Sequence, residues 1–212
     1  MQKYLDFTNQ IDYTKLKEVG GIIKKGGIVV FPTETVYGIG TNAFKNESVE
    51  LIYNIKKRPL NKPITLLVSD IEMIKEITKD ITDLEYKLME KFFPGPFTII
   101  LKKKDIVPDI VTSNQDTVGI RIPDNKIARE LIKYAGVPIA TPSANISGKP
   151  SGTKMEDIMK DFDENVDCFI DSGESKLGVA STIVRVLDGI PHILREGSIT
   201  KKQIEEIAGK SR

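Results

Sequence analysis

The run Ile28-Val29-Val30-Phe31 is bounded by Gly26-Gly27 before it and Pro32 after it. A continuous apolar stretch this short, closed by residues that cannot extend it, reads as a buried strand. Directly upstream, Leu16, Val19, Ile22 and Ile23 recur at helical spacing, so a helix feeds that strand. The alternation continues. Asn46 can cap a helix whose apolar face is Val49, Leu51, Ile52 and Ile55 and which Pro59 closes, and Ile64–Val68 reads as the next strand. Helices built on Ile71, Ile74 and Ile77 and on Leu84, Leu88 and Phe92 follow, until Phe93-Pro94-Gly95-Pro96 breaks them.

Phe97–Leu101 and Val118–Ile122 are strand-like, Ile127, Leu131 and Ile132 mark a helix, and Val137–Ala140 is a short strand. Toward the C-terminus the pattern gives a helix at Met155–Phe162, strands at Cys168–Ile170, Thr182–Val186 and Ile193–Leu194, and a helix at Thr200–Ile207 that starts at a good cap. Strands alternate with helices early and cluster late. The expected fold is therefore α/β: residues 1–212 as one domain, with a core from about 15 to 200 and a mixed, twisted open sheet.

At 212 residues the chain is long enough to bury on the order of 70% of its unfolded surface without staples. Its 31 basic and 30 acidic side chains leave a net charge of +1, which argues against global electrostatic capture of nucleic acid. Cys168 and His192 are the only residues of their kinds, so a disulfide framework and a Cys/His zinc cluster lack parts, and a Ser-His-Asp or Cys-His mechanism has little room. Any chemistry falls to Lys, Arg, Ser, Thr, Asn and backbone groups, a palette suited to positioning reactants and stabilising charge. MQKYLDFTNQIDY has no signal-like apolar stretch and no run is long enough to span a bilayer, so a soluble cytoplasmic protein with no membrane partner is expected.

Four polar, Gly- or Pro-rich segments each follow or end a strand, where ligands bind in open α/β sheets. In Phe31-Pro32-Thr33-Glu34-Thr35-Val36-Tyr37-Gly38 the hydroxyls of Thr33 and Thr35 could bind a small polar ligand and Glu34 could orient an amine or a metal ion; a turn whose threonines satisfy their own backbone is the plainer alternative. Lys56-Lys57-Arg58-Pro59-Leu60-Asn61-Lys62-Pro63 puts four cations at a helix C-terminus, either matched to the helix dipole or held by the prolines to grip an anion. In Thr117-Val118-Gly119-Ile120-Arg121-Ile122-Pro123, alternation places Thr117, Gly119 and Arg121 on one face, and a buried Arg121 needs an anion from the protein or from a ligand. The loop from Thr141 to Thr153 carries small hydroxyl residues and free backbone N–H groups suited to an anion nest, though it is not a Walker A loop.

Together these segments resemble the YrdC domain family, the threonylcarbamoyl-AMP synthases of tRNA modification. The similarity runs from about Lys15 to Thr200 and rests on PTETVYG, the Lys-x-Arg-Pro run at Lys56–Pro59, FFPGPFT, TVGIRIP, TPSANISGKPSGT, ASTIV at Ala180–Val184 and LREGSIT, in family order. It implies a twisted mixed sheet around a basic cavity. It also implies an enzyme of the nucleotidyltransferase class that combines L-threonine, bicarbonate and ATP, with Mg2+ assisting, to give threonylcarbamoyl-AMP and pyrophosphate. A separate transferase complex would then act on the adenosine beside the anticodon of tRNA.

By the same resemblance, Lys56, Arg58, Ser143 and Asn145 form the catalytic constellation, with Lys56 and Arg58 at the phosphates and Asn145 at the carbamate or α-phosphate. Thr35, Arg121, Ser143 and Ser181 would hold L-threonine, Arg121 through its carboxylate. Arg58, Lys62, Thr117, Thr141, Ser151 and Arg195 would lie near ATP. No protein metal ligand is implied. Leu67 stands where many members have a histidine, and Lys62 where many have an asparagine. The absence of a further domain after the core implies the short form of the family. His192 is expected to be structural and Cys168 a small buried hydrophobe. The competing readings are an RNA-binding or regulatory module of the same fold, and the carbamoyl-transfer chemistry of hydrogenase-maturation proteins, whose extra zinc-finger-like and acylphosphatase segments are missing here.

Overall fold

The computed structural model describes residues 2–162 and 165–209. Its first helix, α1 (Tyr13–Lys24), begins at Asp12, whose carboxylate accepts the backbone N–H groups of Thr14 and Lys15. The stripe Leu16, Val19 and Ile23 is buried, and the chain turns at Gly26, in a left-handed conformation, into β2 (Val29–Phe31). An N-terminal strand β1 (Lys3–Asp6) precedes α1, and β3 (Gly38–Asn42), α2 (Asn46–Ile55), β4 (Leu66–Leu67), α3 (Ile71–Ile77) and α4 (Asp83–Phe92) follow β2. Next come β5 (Phe97–Lys102), α5 (Asp109–Thr112), β6 (Thr117–Arg121), α6 (Lys126–Ala135) and β7 (Ile139–Ala140). The chain ends with α7 (Met155–Phe162), β8 (Cys168–Asp171), β9 (Thr182–Leu187), β10 (Ile190–Arg195) and α8 (Lys201–Ala208).

The strands form one mixed sheet in the order β1-β8-β2-β3-β7-β4-β6-β5-β9-β10. Four pairs are parallel (β1 with β8, β8 with β2, β4 with β6, β5 with β9) and the other five antiparallel, three of them in succession from β2 to β4. Successive residues of a strand point to opposite faces, and the apolar residues sort accordingly. Val30, Leu66, Ala140 and Phe169 join one core, whereas Val29, Phe31, Leu67, Ile139, Cys168 and Ile170 join the other. The second core is closed by α1 and α6, which cross where a Cβ on Gly20 would stand only 2.6 Å from that of Tyr134. Most expected elements are present, with Met155–Phe162 matching end to end.

Several details differ. Asn46 is the first residue of α2 rather than its cap; Lys45 holds the cap position without a side-chain bond. The strands expected at 64–68 and 137–140 pair over only two residues each, while the one expected at 193–194 extends over Ile190–Arg195. β1, β3 and α5 were not expected. β3 is the consequential one, because all five of its residues are buried near the middle of the sheet. Its glycines explain both its low strand propensity and its position: a Cβ on Gly38 would meet Thr141 Cγ2 at 2.5 Å, and one on Gly40 would meet Ile139 Cγ2 at 2.7 Å. Among the described residues no helix is long and apolar enough to cross a membrane.

Thr141 is buried and its N–H is bonded to the carbonyl of Thr65, so it cannot retreat from an added methyl group. Gly38→Ala is accordingly expected to destabilise the protein by about 1–3 kcal/mol, the usual range for overpacking. Urea denaturation should show a lowered midpoint with an unchanged slope.

Candidate active site

The turn after β2 is organised by one hydroxyl. Thr33 Oγ1 accepts the N–H groups of Thr35 and Val36 and donates to the carbonyl of Val36 at 2.6 Å. It also lies 2.8 Å from Thr35 Oγ1. A hydroxyl has one proton, and a carbonyl can only accept. Thr33 is therefore the donor to Val36, and Thr35 must donate to Thr33. What Thr35 presents outward is acceptor capacity, matched to an N–H or O–H on a ligand.

The facing loop, 141–153, is polarised the same way. The amide nitrogen of Asn145 donates to the carbonyls of Ile146 and Lys149, which leaves Oδ1 to accept the Ser143 hydroxyl at 2.6 Å. Ser143 Oγ thus also offers lone pairs. Turn and loop are locked together by backbone bonds from Ala144 N–H to the Tyr37 carbonyl (2.7 Å) and from Tyr37 N–H to the Gly152 carbonyl (3.2 Å). The Tyr37 phenol binds the Gly173 carbonyl, and burial raises its pKa to about 12, so it stays protonated.

Beneath this loop lies Lys56. Its ammonium position is 1% exposed as a residue and donates to the carbonyls of Ser143, at 2.6 Å, and of Asn145. Burial, aided by the charge of Arg58 and opposed by Asp161, pushes its pKa down to about 7. A neutral amine has two N–H groups, one for each carbonyl, so the contacts survive deprotonation.

Three arginines complete the walls. Arg121, at the end of β6, donates from Nε to the Gly95 carbonyl at 3.1 Å, and its Nη2 lies 2.8 Å from Glu34 Oε1; both side chains are buried. The sequence left open whether the anion facing Arg121 belongs to the protein or to a ligand; within the protein it is Glu34. Glu34 is thereby committed to an arginine rather than to the amine or metal considered for it. Arg58 donates to the carbonyls of Lys62 (3.1 Å) and Pro63 (2.7 Å), within its own proline-bounded loop. Arg195 donates to the Ser181 carbonyl from Nε and Nη2 and to Ser181 Oγ at 3.2 Å, and Ser181 Oγ in turn lies 2.8 Å from the Thr98 hydroxyl. Gly197 makes this possible, because a Cβ there would meet the Ala180 carbonyl at 2.1 Å. Lost hydration, with Arg121 and Arg58 nearby, lowers the Arg195 pKa; burial lowers that of Arg58. Both remain cations.

Most of these groups line one cavity of about 190 Å3 that opens to solvent at its mouth. Of the candidate residues, Thr35, Arg121, Ser143 and Ser181 meet there, as do Arg58, Thr141, Ser151 and Arg195. Lys56 and Asn145 do not line it; they hold Ser143 from behind. Lys62 is exposed and contributes only its carbonyl, to Arg58 and Tyr53. Thr117 is buried at the far end of β6, outside the cavity wall. Thr65 and Thr98 line the cavity without having been expected. Both carried the same signal in principle, a lone hydroxyl within an otherwise apolar strand-like run, Ile64–Val68 for Thr65 and Phe97–Leu101 for Thr98. Leu67 forms part of the apolar wall. His192 is exposed within β10 and is not among the residues lining the cavity, and Cys168 is fully buried, its thiol pushed up to about 12. The lining residues include no carboxylate, and among the described residues no group of His, Cys, Asp and Glu could hold a metal ion.

Residues 21–197 match a family model covering Sua5, YciO and YrdC and described as "Telomere recombination". Over 208 residues the chain is 38% identical to a threonylcarbamoyl-AMP synthase of Pyrococcus abyssi, covering 98% of this chain and 61% of that protein. It is 39% identical over 209 residues to a threonylcarbamoyl-AMP synthase of Bacillus subtilis, with coverage of 97% and 60%. The crystal structure of P. abyssi Sua5 complexed with L-threonine superposes with a TM-score of 0.93 at 37% identity, covering 99% of this chain and 61% of that one. The chain thus spans about three-fifths of the length of these relatives.

The buried lysine has a consequence for stability. The unfolded chain keeps a proton on Lys56 up to its ordinary pKa of 10.5, whereas the folded protein releases it near 7. Between those values the unfolded state binds more protons, so stability rises with pH, and the cost of burying the charge is full below about pH 7. The stability of the wild type minus that of Lys56→Met should therefore increase between about pH 6.5 and pH 9.5. A pH-independent difference in chemical denaturation would contradict the burial of an ionisable amine at this position.

Proposed function

The chain belongs to the Sua5/YciO/YrdC family, and on that footing we propose that it is an L-threonylcarbamoyladenylate synthase. The observation that carries the reading is one cavity holding two acceptor-polarised hydroxyls beside a buried arginine, with two further arginines across from them. An α-amino acid fits the first group. Its carboxylate would meet Arg121 Nη1, which has no hydrogen-bond partner among the described residues, and its amine and hydroxyl would donate to Thr35 and Ser143. The P. abyssi neighbour is complexed with L-threonine, which supports that amino acid as the substrate. The triphosphate of ATP fits Arg58 and Arg195, whose protein partners are neutral carbonyls and hydroxyls.

The reaction needs no protein nucleophile. The amine of threonine takes up the carbon of bicarbonate, releasing water, to give a carbamate. A carbamate oxygen then forms a bond to the α-phosphorus of ATP as the bond to the leaving pyrophosphate breaks. The chain's part is to align these groups, to keep water from the mixed anhydride, and to stabilise charge on the phosphoryl oxygens with Arg58 and Arg195. Lys56 and Asn145 act at one remove, by fixing the Ser143 loop. The cavity wall has no carboxylate to hold Mg2+, so the ion would enter on the triphosphate, as magnesium commonly does. The product, made in the cytoplasm, would pass to a transferase complex that modifies tRNA to N6-threonylcarbamoyladenosine.

Mass spectrometry after incubation with ATP, Mg2+, L-threonine and bicarbonate should detect threonylcarbamoyl-AMP, and omission of any one organic substrate or of bicarbonate should abolish it. Absence of product from folded protein with trapping in place would favour an RNA-binding or regulatory role. Arg121→Ala is expected to lower kcat/KM for L-threonine about 10²–10³-fold and Arg58→Ala that for ATP by a similar factor. His192→Ala, on the exposed edge strand, should stay within about twofold of wild type. Equal activities in all three variants would overturn the assignment of the site.

A further inference from the structure

The three arginines of the cavity are not electrically equivalent. Arg121 has a carboxylate partner at 2.8 Å, whereas Arg58 and Arg195 have no acidic partner among the described residues. The Glu34 carboxylate is 8% exposed as a side chain, and no donor is aligned on either of its oxygens. Its contact with Arg121 is thus ionic rather than a well-formed hydrogen bond. A buried, poorly solvated carboxylate held by one cation is weak support for stability and calls for another explanation. Glu34 does not line the cavity; it borders instead a separate pocket with Asp124, Lys126, Glu174 and Lys176, two acids and two lysines. Arg121 lines the cavity and contacts Glu34, and Thr33 lines both spaces.

We infer that Glu34 is a specificity-determining residue that divides the cavity by charge. Its carboxylate neutralises Arg121 without lining the cavity, leaving a near-neutral half for a zwitterionic amino acid and a cationic half, at Arg58 and Arg195, for polyphosphate. The inference rests on the proposed synthase reading and deepens it. A reaction joining an amino acid to the α-phosphate of a nucleotide must admit a carboxylate and a polyphosphate side by side without letting the polyphosphate take both places. Three unpaired arginines would favour phosphate everywhere in the cavity, since each phosphate oxygen would gain a charge-assisted bond. Pairing one of them inside the protein removes that preference at one end only. A zwitterion loses little by this, because its carboxylate needs the direction of the Nη1 donor more than its net charge, and its ammonium benefits from the smaller positive potential.

Calorimetric titration with inorganic pyrophosphate, with and without saturating L-threonine, tests the inference. Wild type should bind one pyrophosphate with an affinity that L-threonine leaves unchanged. Glu34→Gln should either take a second pyrophosphate or bind the first at least fivefold tighter, and L-threonine should now compete with it. Glu34→Asp, which keeps the charge, should behave as wild type. Should Glu34→Gln fail to fold, the double variant Glu34→Gln/Arg121→Gln, which removes both charges of the pair together, is read instead and should still bind one pyrophosphate within about twofold of wild type. Unchanged stoichiometry and affinity in Glu34→Gln, or a loss of about fivefold or more in the double variant, would overturn the inference. Failure of wild type to bind L-threonine at all would instead sink the synthase reading, and the pyrophosphate comparison would still score the role of Glu34.

Discussion

Near the middle of the sheet, β3 and the chain entering and leaving β7 approach more closely than side chains ordinarily permit, with Gly38 and Gly40 against Thr141 and Ile139. Much of the cavity follows from that contact. It lets the Ile39 N–H reach the Pro142 carbonyl at 3.0 Å and the Ala144 N–H reach the Tyr37 carbonyl at 2.7 Å. The turn bearing Thr35 and the loop bearing Ser143 are thereby held as one wall. Neither segment has enough apolar residues to place itself by packing; the backbone bonds and the missing Cβ atoms do it. The two cores on opposite faces of the sheet then support that wall from both sides.

The electrostatic design follows a single rule, that cations are anchored by neutral acceptors. Arg58 rests on the carbonyls of its own loop and Arg195 on that of Ser181, so each is directed without being discharged. Lys56 takes the rule further: buried beneath the Ser143 loop, it has a pKa near neutrality and serves as a two-pronged hydrogen-bond donor. Arg121 is the exception, and its carboxylate partner does not line the cavity.

Much of this was legible in the residues. The apolar runs at 28–31, 97–101 and 168–170 and the stripes of α1, α4, α6 and α7 each carry their own periodicity, and each forms. β3 does not, because Gly-Ile-Gly-Thr-Asn is a poor strand by local preference and is made one by its neighbours. The site divides along similar lines. Runs such as TPSANISGKPSGT mark which segments converge, but not which side chain within a segment points inward. Lys56 and Arg58 are two residues apart, yet the left-handed turn at Lys57 sends one under the loop and the other into the cavity. Thr117 shares a strand face with Arg121, as alternation requires, but four residues of strand place it about 13 Å away. Thr65 and Thr98 are cavity walls only because β6 lies between their strands, with Gly119 leaving room for both. Such placements depend on sheet order, which no local pattern encodes.

The walls of the cavity are drawn from Thr33 through Arg195, across strands whose order in the sheet departs widely from their order in the chain. During synthesis, therefore, no partial chain can present the site: the Thr35 turn emerges early but finds Ser143, Ser181 and Arg195 only after most of the protein has left the ribosome. Pairings of such long sequence separation form late and slowly. A ligand that needs all of these walls distinguishes finished from unfinished molecules, and its binding energy adds to the stability of the folded state as a unit rather than to that of any one segment.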